Sequence, residues 1–89
     1  MTAPVEVTLL TQTSCRLCEL AKAILERLGT EYSLSVTEVD LGTEVGRHLA
    51  ADAGVLFAPG VLVDGRPFSY GRLSERKLRR LLDRRAAVT

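Results

Sequence analysis

Cys15 and Cys18 stand three positions apart in the run Thr13-Ser14-Cys15-Arg16-Leu17-Cys18. Two thiols at that spacing suit one of two chemistries, exchange with a disulfide or coordination of a soft metal. A bond between them closes almost no loop and restricts the unfolded chain little, which argues against a purely structural staple. A structural zinc site needs four ligands and usually two such pairs. The chain offers one pair and a single histidine, His48, which falls on a different expected helix. No metal site is therefore expected within one chain, although two thiolates from each of two subunits would suffice to hold a metal between them.

The exchange reading depends on what the run lies between. Val5-Glu6-Val7-Thr8-Leu9-Leu10 alternates and is rich in β-branched residues, so it reads as a strand. Thr11 to Ser14 is a polar loop. Leu17, Leu20, Ala21, Ile24, Leu25 and Leu28 then recur three or four apart, the spacing of a helix, with Ser14 as its expected N-cap and Gly29 at its end. Cys15 thus falls in the first helical turn, where unpaired N–H groups and the positive end of the helix dipole favour a thiolate. Thiols in such places have pKa values of about 3.5 to 7.5. Cys18 follows one turn later on the same face, within reach of a mixed disulfide on Cys15. Arg16 would favour the thiolate further if its charge lies beside the sulfur; an exposed arginine without a role fits the same position. Leu17 is expected to pack or to form an apolar lip that partners touch.

The remaining elements follow from their periods. Tyr32 to Val39 is a strand candidate with Leu34, Val36 and Val39 inward, and Thr43 to Ala53 a short helix marked by Val45 and Leu49 and stopped at Gly54. Gly60 to Val63 is a strand, Asp64-Gly65 a two-residue hairpin turn, and Arg66 to Tyr70 the returning strand, with Pro67 favouring a sheet edge. Ser74 is placed to cap a last helix with Leu78, Leu81 and Leu82 inward. The order β-α-β-α-β-β-α contains a βαβ unit, which requires a parallel pair, followed by a hairpin and a helix. The expected fold class is α/β, a four-stranded mixed sheet with helices on both faces.

Composition bounds the rest. Eighty-nine residues make one domain, residues 1–89, with a stability on the order of 5 kcal/mol. Hydrophobic residues make up 46% of the chain and the net charge is only +1, which excludes disorder. With two Phe, two Tyr and no Trp, the core must be aliphatic. The start Met1-Thr2-Ala3-Pro4 carries no positive charge and no long apolar run follows it, so the expected compartment is cytoplasmic, without a membrane span. Between Glu75 and Arg85 six basic residues stand against two acidic ones. That excess is read as a solvated helix face rather than a nucleic-acid site, since neither an aromatic platform nor an overall basic charge accompanies it.

Phe57-Ala58-Pro59-Gly60, just before the third strand, makes a resemblance specific. From Val5 to Arg85 the chain resembles the glutaredoxins of the thioredoxin fold, and more narrowly the bacterial glutaredoxin-like domains whose motif reads Cys-X-Leu-Cys. The resemblance implies a dithiol–disulfide oxidoreductase with Cys15 as nucleophile and Cys18 as resolving thiol. It implies that Pro59 is a cis-proline facing the cysteines and that Ala58 offers its backbone to a bound cysteinyl peptide. Ordinary glutaredoxins carry Cys-Pro-Tyr-Cys, where this chain has Arg16-Leu17 between its cysteines. They also hold glutathione with a double glycine, a small residue and an acid after the hairpin. Here the segment is Tyr70-Gly71-Arg72-Leu73-Ser74, in which Gly71 matches one glycine, Arg72 is positioned to meet a glutathione carboxylate, and the acid is missing. The implied partners are a disulfide-containing protein or small thiol substrate, with glutathione or a thioredoxin-reductase-like enzyme resetting the pair and no resident cofactor. The alternative is a non-catalytic module of the same fold that holds a metal or iron–sulfur cluster through the thiol pair in a dimer.

Overall fold

The sheet is built on β1 (Val5–Thr11), a strand with apolar side chains on both of its faces. The structure, a computed structural model, describes residues 3–88; Met1 and Thr2 of the uncharged start, and Thr89, lie outside them. β1 pairs parallel with β2 (Leu34–Asp40) and antiparallel with β3 (Gly60–Val63), and β3 pairs antiparallel with β4 (Arg66–Tyr70). The strand order is β2-β1-β3-β4. The parallel pair needs a crossover, which α1 (Arg16–Leu28) supplies; α2 (Glu44–Ala53) links β2 to β3, and α3 (Glu75–Val88) follows the hairpin. Order and class agree with the expectation from the sequence.

Period two in β1 divides the core into two layers. Val5, Val7 and Leu9 join Val61 and Val63 beneath Ala21, Leu25 and Leu28 of α1 and Leu78 and Leu82 of α3. On the opposite face Leu10 and Leu62 meet Ala50 of α2, a much smaller buried cluster. α2 approaches closely because Gly46 has no side chain there: a Cβ at that position would strike the carbonyl of Asp40.

Local signals account for the ends of most elements. The Thr43 hydroxyl accepts the N–H of Gly46 at 3.0 Å and caps α2, which Gly54 ends in the left-handed region at φ 70°. Asp64 and Gly65 both have positive φ, 51° and 81°, as a two-residue hairpin turn of the favoured hand requires. Pro67 lies in β4 at the edge of the sheet, beside a bulge that leaves Phe68 without a partner in β3. The Ser74 hydroxyl accepts the N–H of Lys77 at 3.2 Å at the start of α3.

Three expectations change. Ser14 does not cap α1; it stands outside the helix at φ 53°, and Cys15 takes the cap. β2 begins at Leu34 rather than Tyr32, and Val36 is 43% exposed because β2 is an edge strand with little above it. Val45 points to solvent at 62% exposure, since α2 lies on the sheet through Gly46 and Ala50 instead.

The far end of α1 is tied to α3 by charge. Arg27 meets Glu75 at 2.7 Å, and Arg79 meets Glu31 at 2.7 Å and Glu75 at 3.6 Å. The Tyr32 hydroxyl donates to Asp83, and the Arg79 guanidinium lies 6.0 Å from the centre of the Tyr32 ring. Hydrogen bonds from the arginines hold the carboxyls of Glu31 and Glu75 below the usual range, Arg79 acting on the first and Arg27 on the second.

Candidate functional site

Register decides which residues meet. Leu10 in β1 stands opposite Gly60 in β3, and Thr11 opposite Asp40 in β2. The end of β1 that leads to the cysteines is therefore also the end at which β3 begins, directly after Pro59. Gly60 in turn pairs with Tyr70, and the Gly71 N–H donates to the Pro59 carbonyl at 2.8 Å. The three segments carrying the residues singled out in the sequence, around Cys15, Pro59 and Gly71, thus converge at one end of the sheet.

Cys15 is the N-cap of α1, in extended conformation, and Cys18 lies in the first turn. Their Cα atoms are 5.2 Å apart and their sulfurs are bonded. Sγ of Cys15 accepts the N–H of Cys18 at 3.1 Å, so one of the orphan amides at the helix start is directed at that sulfur. Cys15 is half-buried, whereas Cys18 is 1% exposed. One sulfur is open to a partner and the other sits behind it. An N-cap sulfur facing a free helical N–H is the arrangement that stabilises negative charge on that sulfur. The acid in this turn, Glu19, is tied 3.3 Å from Lys22, which also meets Glu38 at 3.3 Å, and both raise the Lys22 ammonium pKa.

The other predicted positions divide into backbone and side-chain contributions. The Ala58–Pro59 bond is cis, both residues are buried, and neither the N–H nor the C=O of Ala58 takes part in a backbone hydrogen bond among the described residues. Gly71 has φ 80°, and a Cβ there would lie 3.1 Å from the Phe57 ring. Glycine meets both demands at once, taking the left-handed conformation without strain and leaving the ring its place. Arg16 is exposed. Arg72 is exposed too and lines a recess of about 150 Å³ with Leu17, Leu20, Ala23, Ile24, Arg27 and Leu73. His48 is exposed on α2. Among the described residues no three His, Cys, Asp or Glu side chains cluster to hold a metal, leaving the two thiols as the ligands this chain could contribute.

Sequence reasoning missed the pairing of Phe57 with Tyr70, whose rings meet edge to face with centroids 5.1 Å apart. Both rings are largely exposed, as is Leu56. The signal was present: Val55-Leu56-Phe57 is an apolar run between Gly54 and Pro59, in a segment too short to bury it.

The comparisons agree with this architecture. A structural search places the chain beside a mutant thioredoxin from Halobacterium salinarum NRC-1, with 21% identity, a TM-score of 0.69, and coverage of 90% of this chain and 73% of that one. The thioredoxin-like protein BC3987 matches with 24% identity and a TM-score of 0.67, over 85% of this chain and 99% of the other. A malarial protein matches at 18% identity and a TM-score of 0.69, over 92% and 97%. A search of curated protein sequences finds no match. No helix among the described residues is long and apolar enough to cross a membrane. The model of the glutaredoxin-like domain (DUF836) matches residues 6–83, from the second residue of β1 into α3 and including both cysteines, and the chain belongs to that family.

Proposed function

We propose that the protein is a dithiol–disulfide oxidoreductase. The observation that carries this reading is the unequal pair at the start of α1: Cys15 accessible at the cap with an amide directed at its sulfur, Cys18 buried one turn behind. In the reduced protein the Cys15 thiolate attacks one sulfur of a substrate disulfide. A bond forms between Cys15 and that sulfur, the substrate bond breaks, and the departing thiolate takes a proton from water. The Cys18 thiolate, its proton lost to solvent, then attacks Sγ of Cys15. The intramolecular disulfide forms and the second substrate sulfur leaves as a thiol. Two electrons have passed to the substrate, and an external thiol reductant, glutathione or a dithiol served by a thioredoxin-reductase-like enzyme, returns them.

The neighbouring residues take roles in binding. Ala58, which leads through buried Pro59 into β3 at the end of the sheet from which the chain enters α1, pairs its free N–H and C=O with an extended substrate segment. Gly71 anchors this loop through Pro59, and Arg16 and Arg72 supply positive charge at the rim.

Turnover of a small disulfide, measured with glutathione and glutathione reductase and in parallel with thioredoxin reductase, tests the reading. Activity in either system that disappears in Cys15→Ser is the expected result; absence in both overturns it. Metal content and thiol titration of freshly purified protein separate it from a module that binds metal between subunits: an oxidoreductase gives two titratable thiols after reduction and no stoichiometric metal.

A further inference from the structure

The surface around the cysteines points to a particular substrate. Among the described residues six large apolar side chains are exposed, and four of them, Leu20, Leu56, Phe57 and Tyr70, lie at the cysteine end of the sheet. They fall in two patches: Phe57, which follows Leu56 in the chain, meets Tyr70 edge to face, and Leu20 lines the recess along α1 together with Leu17, Arg27, Arg72 and Leu73. A recess of about 150 Å³ has room for one benzene-sized apolar group. Exposed aromatic area of this kind is costly to leave in water and marks a contact surface.

Charge narrows the occupant. Arg16 and Arg72 are exposed and neither makes an ion pair among the described residues, whereas Arg27, which lines the same recess as Arg72, is held by Glu75. A partner covering the patches would bury part of these two guanidinium groups, which favours carboxylates opposite them. Glutathione carries no apolar side chain to fill the recess, whereas a protein segment can supply one beside its half-cystine.

Resting on the oxidoreductase reading, we infer that the substrate is a protein disulfide whose half-cystine is flanked by an apolar side chain and an acidic one. The apolar group enters the recess or lies on the Phe57–Tyr70 edge, and the acid meets Arg72. Phe57, Tyr70 and Arg72 then determine specificity rather than chemistry.

Pre-reduced protein, mixed with synthetic cystine peptides that differ only beside the half-cystine (Leu-Glu, Leu-Lys or Ser-Glu), with glutathione disulfide and with bis(2-hydroxyethyl) disulfide, tests this by the rate at which its thiols are lost. The Leu-Glu peptide should react about tenfold faster than either relative and faster than glutathione disulfide. Arg72→Glu should invert the Leu-Glu to Leu-Lys ratio, while Arg80→Glu, the same charge change on the outer face of α3, should leave that ratio alone. Phe57→Ser and, as a second variant if that one misfolds, Tyr70→Ser should lower the Leu-Glu to Ser-Glu ratio. Equal rates on the three peptides, a faster reaction with glutathione disulfide, or inversion by Arg80→Glu would overturn the inference while leaving the oxidoreductase reading intact. If even bis(2-hydroxyethyl) disulfide leaves the thiols untouched, that reading itself fails, and this inference with it.

Discussion

The amide of Cys18 points at the sulfur of Cys15, 3.1 Å away, so the expected nucleophile and its resolving partner share the hydrogen bond that starts α1. The two thiols should therefore titrate far apart. In Cys18→Ser the remaining Cys15 should alkylate rapidly at neutral pH, with a pKa in the range of about 3.5 to 7.5; in Cys15→Ser the buried Cys18 should stay near or above the ordinary value of about 8.5. Iodoacetamide reaction rates followed against pH check this. Faster reaction of the Cys18-only variant at neutral pH would reverse the assignment.

Acid should loosen the clasp between α1 and α3. Glu31, Glu75 and Asp64 all have carboxyls held below the ordinary range, by Arg79, by Arg27 and by the Glu6 N–H respectively. A folded pKa below the unfolded one adds stability above the unfolded carboxylate pKa, and that stability is lost as pH falls through the lower folded value. Arg79→Gln should accordingly be less stable than the parent at pH 7, by a small margin because the groups are exposed, and the difference should vanish at strongly acid pH. Thermal melts across the acid range, at low and high salt, provide the measurement; a gap that widens on acidification contradicts the assignment.

Burial rather than hydropathy should rank apolar truncations. Leu78→Ala removes a side chain with no exposure and should cost about 2–5 kcal/mol. Val45→Ala, at 62% exposure, should stay within about 0.5 kcal/mol of the parent. Urea titrations of both variants decide it, and similar losses would mean that α2 packs differently from the arrangement described.

The basic face of α3 should be dispensable for the chemistry. Arg76, Arg80 and Arg84 are exposed and make no ion pair among the described residues. Replacing each with Gln should change stability by only a few tenths of a kcal/mol. Reduction of a small uncharged disulfide by the triple variant should match the parent. Tight, salt-sensitive binding of the parent to duplex DNA or RNA at physiological salt would instead give this face a nucleic-acid role.

Most of the fold was legible because its signals are local. The alternation from Val5, the three-four spacing from Leu17 to Leu28 and the Asp64-Gly65 turn each fix an element without reference to the rest of the chain. The inward placement of Val36 and Val45 was misjudged for one reason. Periodicity reports which residues share a face, not whether another layer covers it, and β2 lies at an edge while α2 rests on Gly46 and Ala50. The cap was assigned one residue early because Ser14 is the better capping type, yet the chain enters α1 through a left-handed residue and passes that position to Cys15. Convergence of Cys15, Pro59 and Gly71 could be expected from element order and from the family resemblance, not from any local pattern. The contact between Phe57 and Tyr70 was missed because the Asp64-Gly65 turn announces the pairing of β3 with β4 but not the register, shifted by a bulge, that sets Tyr70 opposite Gly60.

The two layers of the core are unequal, and this bears on the order in which the molecule opens. Leu10, Leu62 and Ala50 hold α2 with little buried area, whereas α1 and α3 share the larger cluster and the charged clasp at their ends. Amide protons of α2 should exchange through a local opening well below the free energy of global unfolding, while those of β1 and the middle of α1 exchange only with the whole fold. The segment from Val55 to Pro59 is joined to the weaker layer through Val55, so its protection should fall with that of α2 while the helix bearing the sulfurs stays protected.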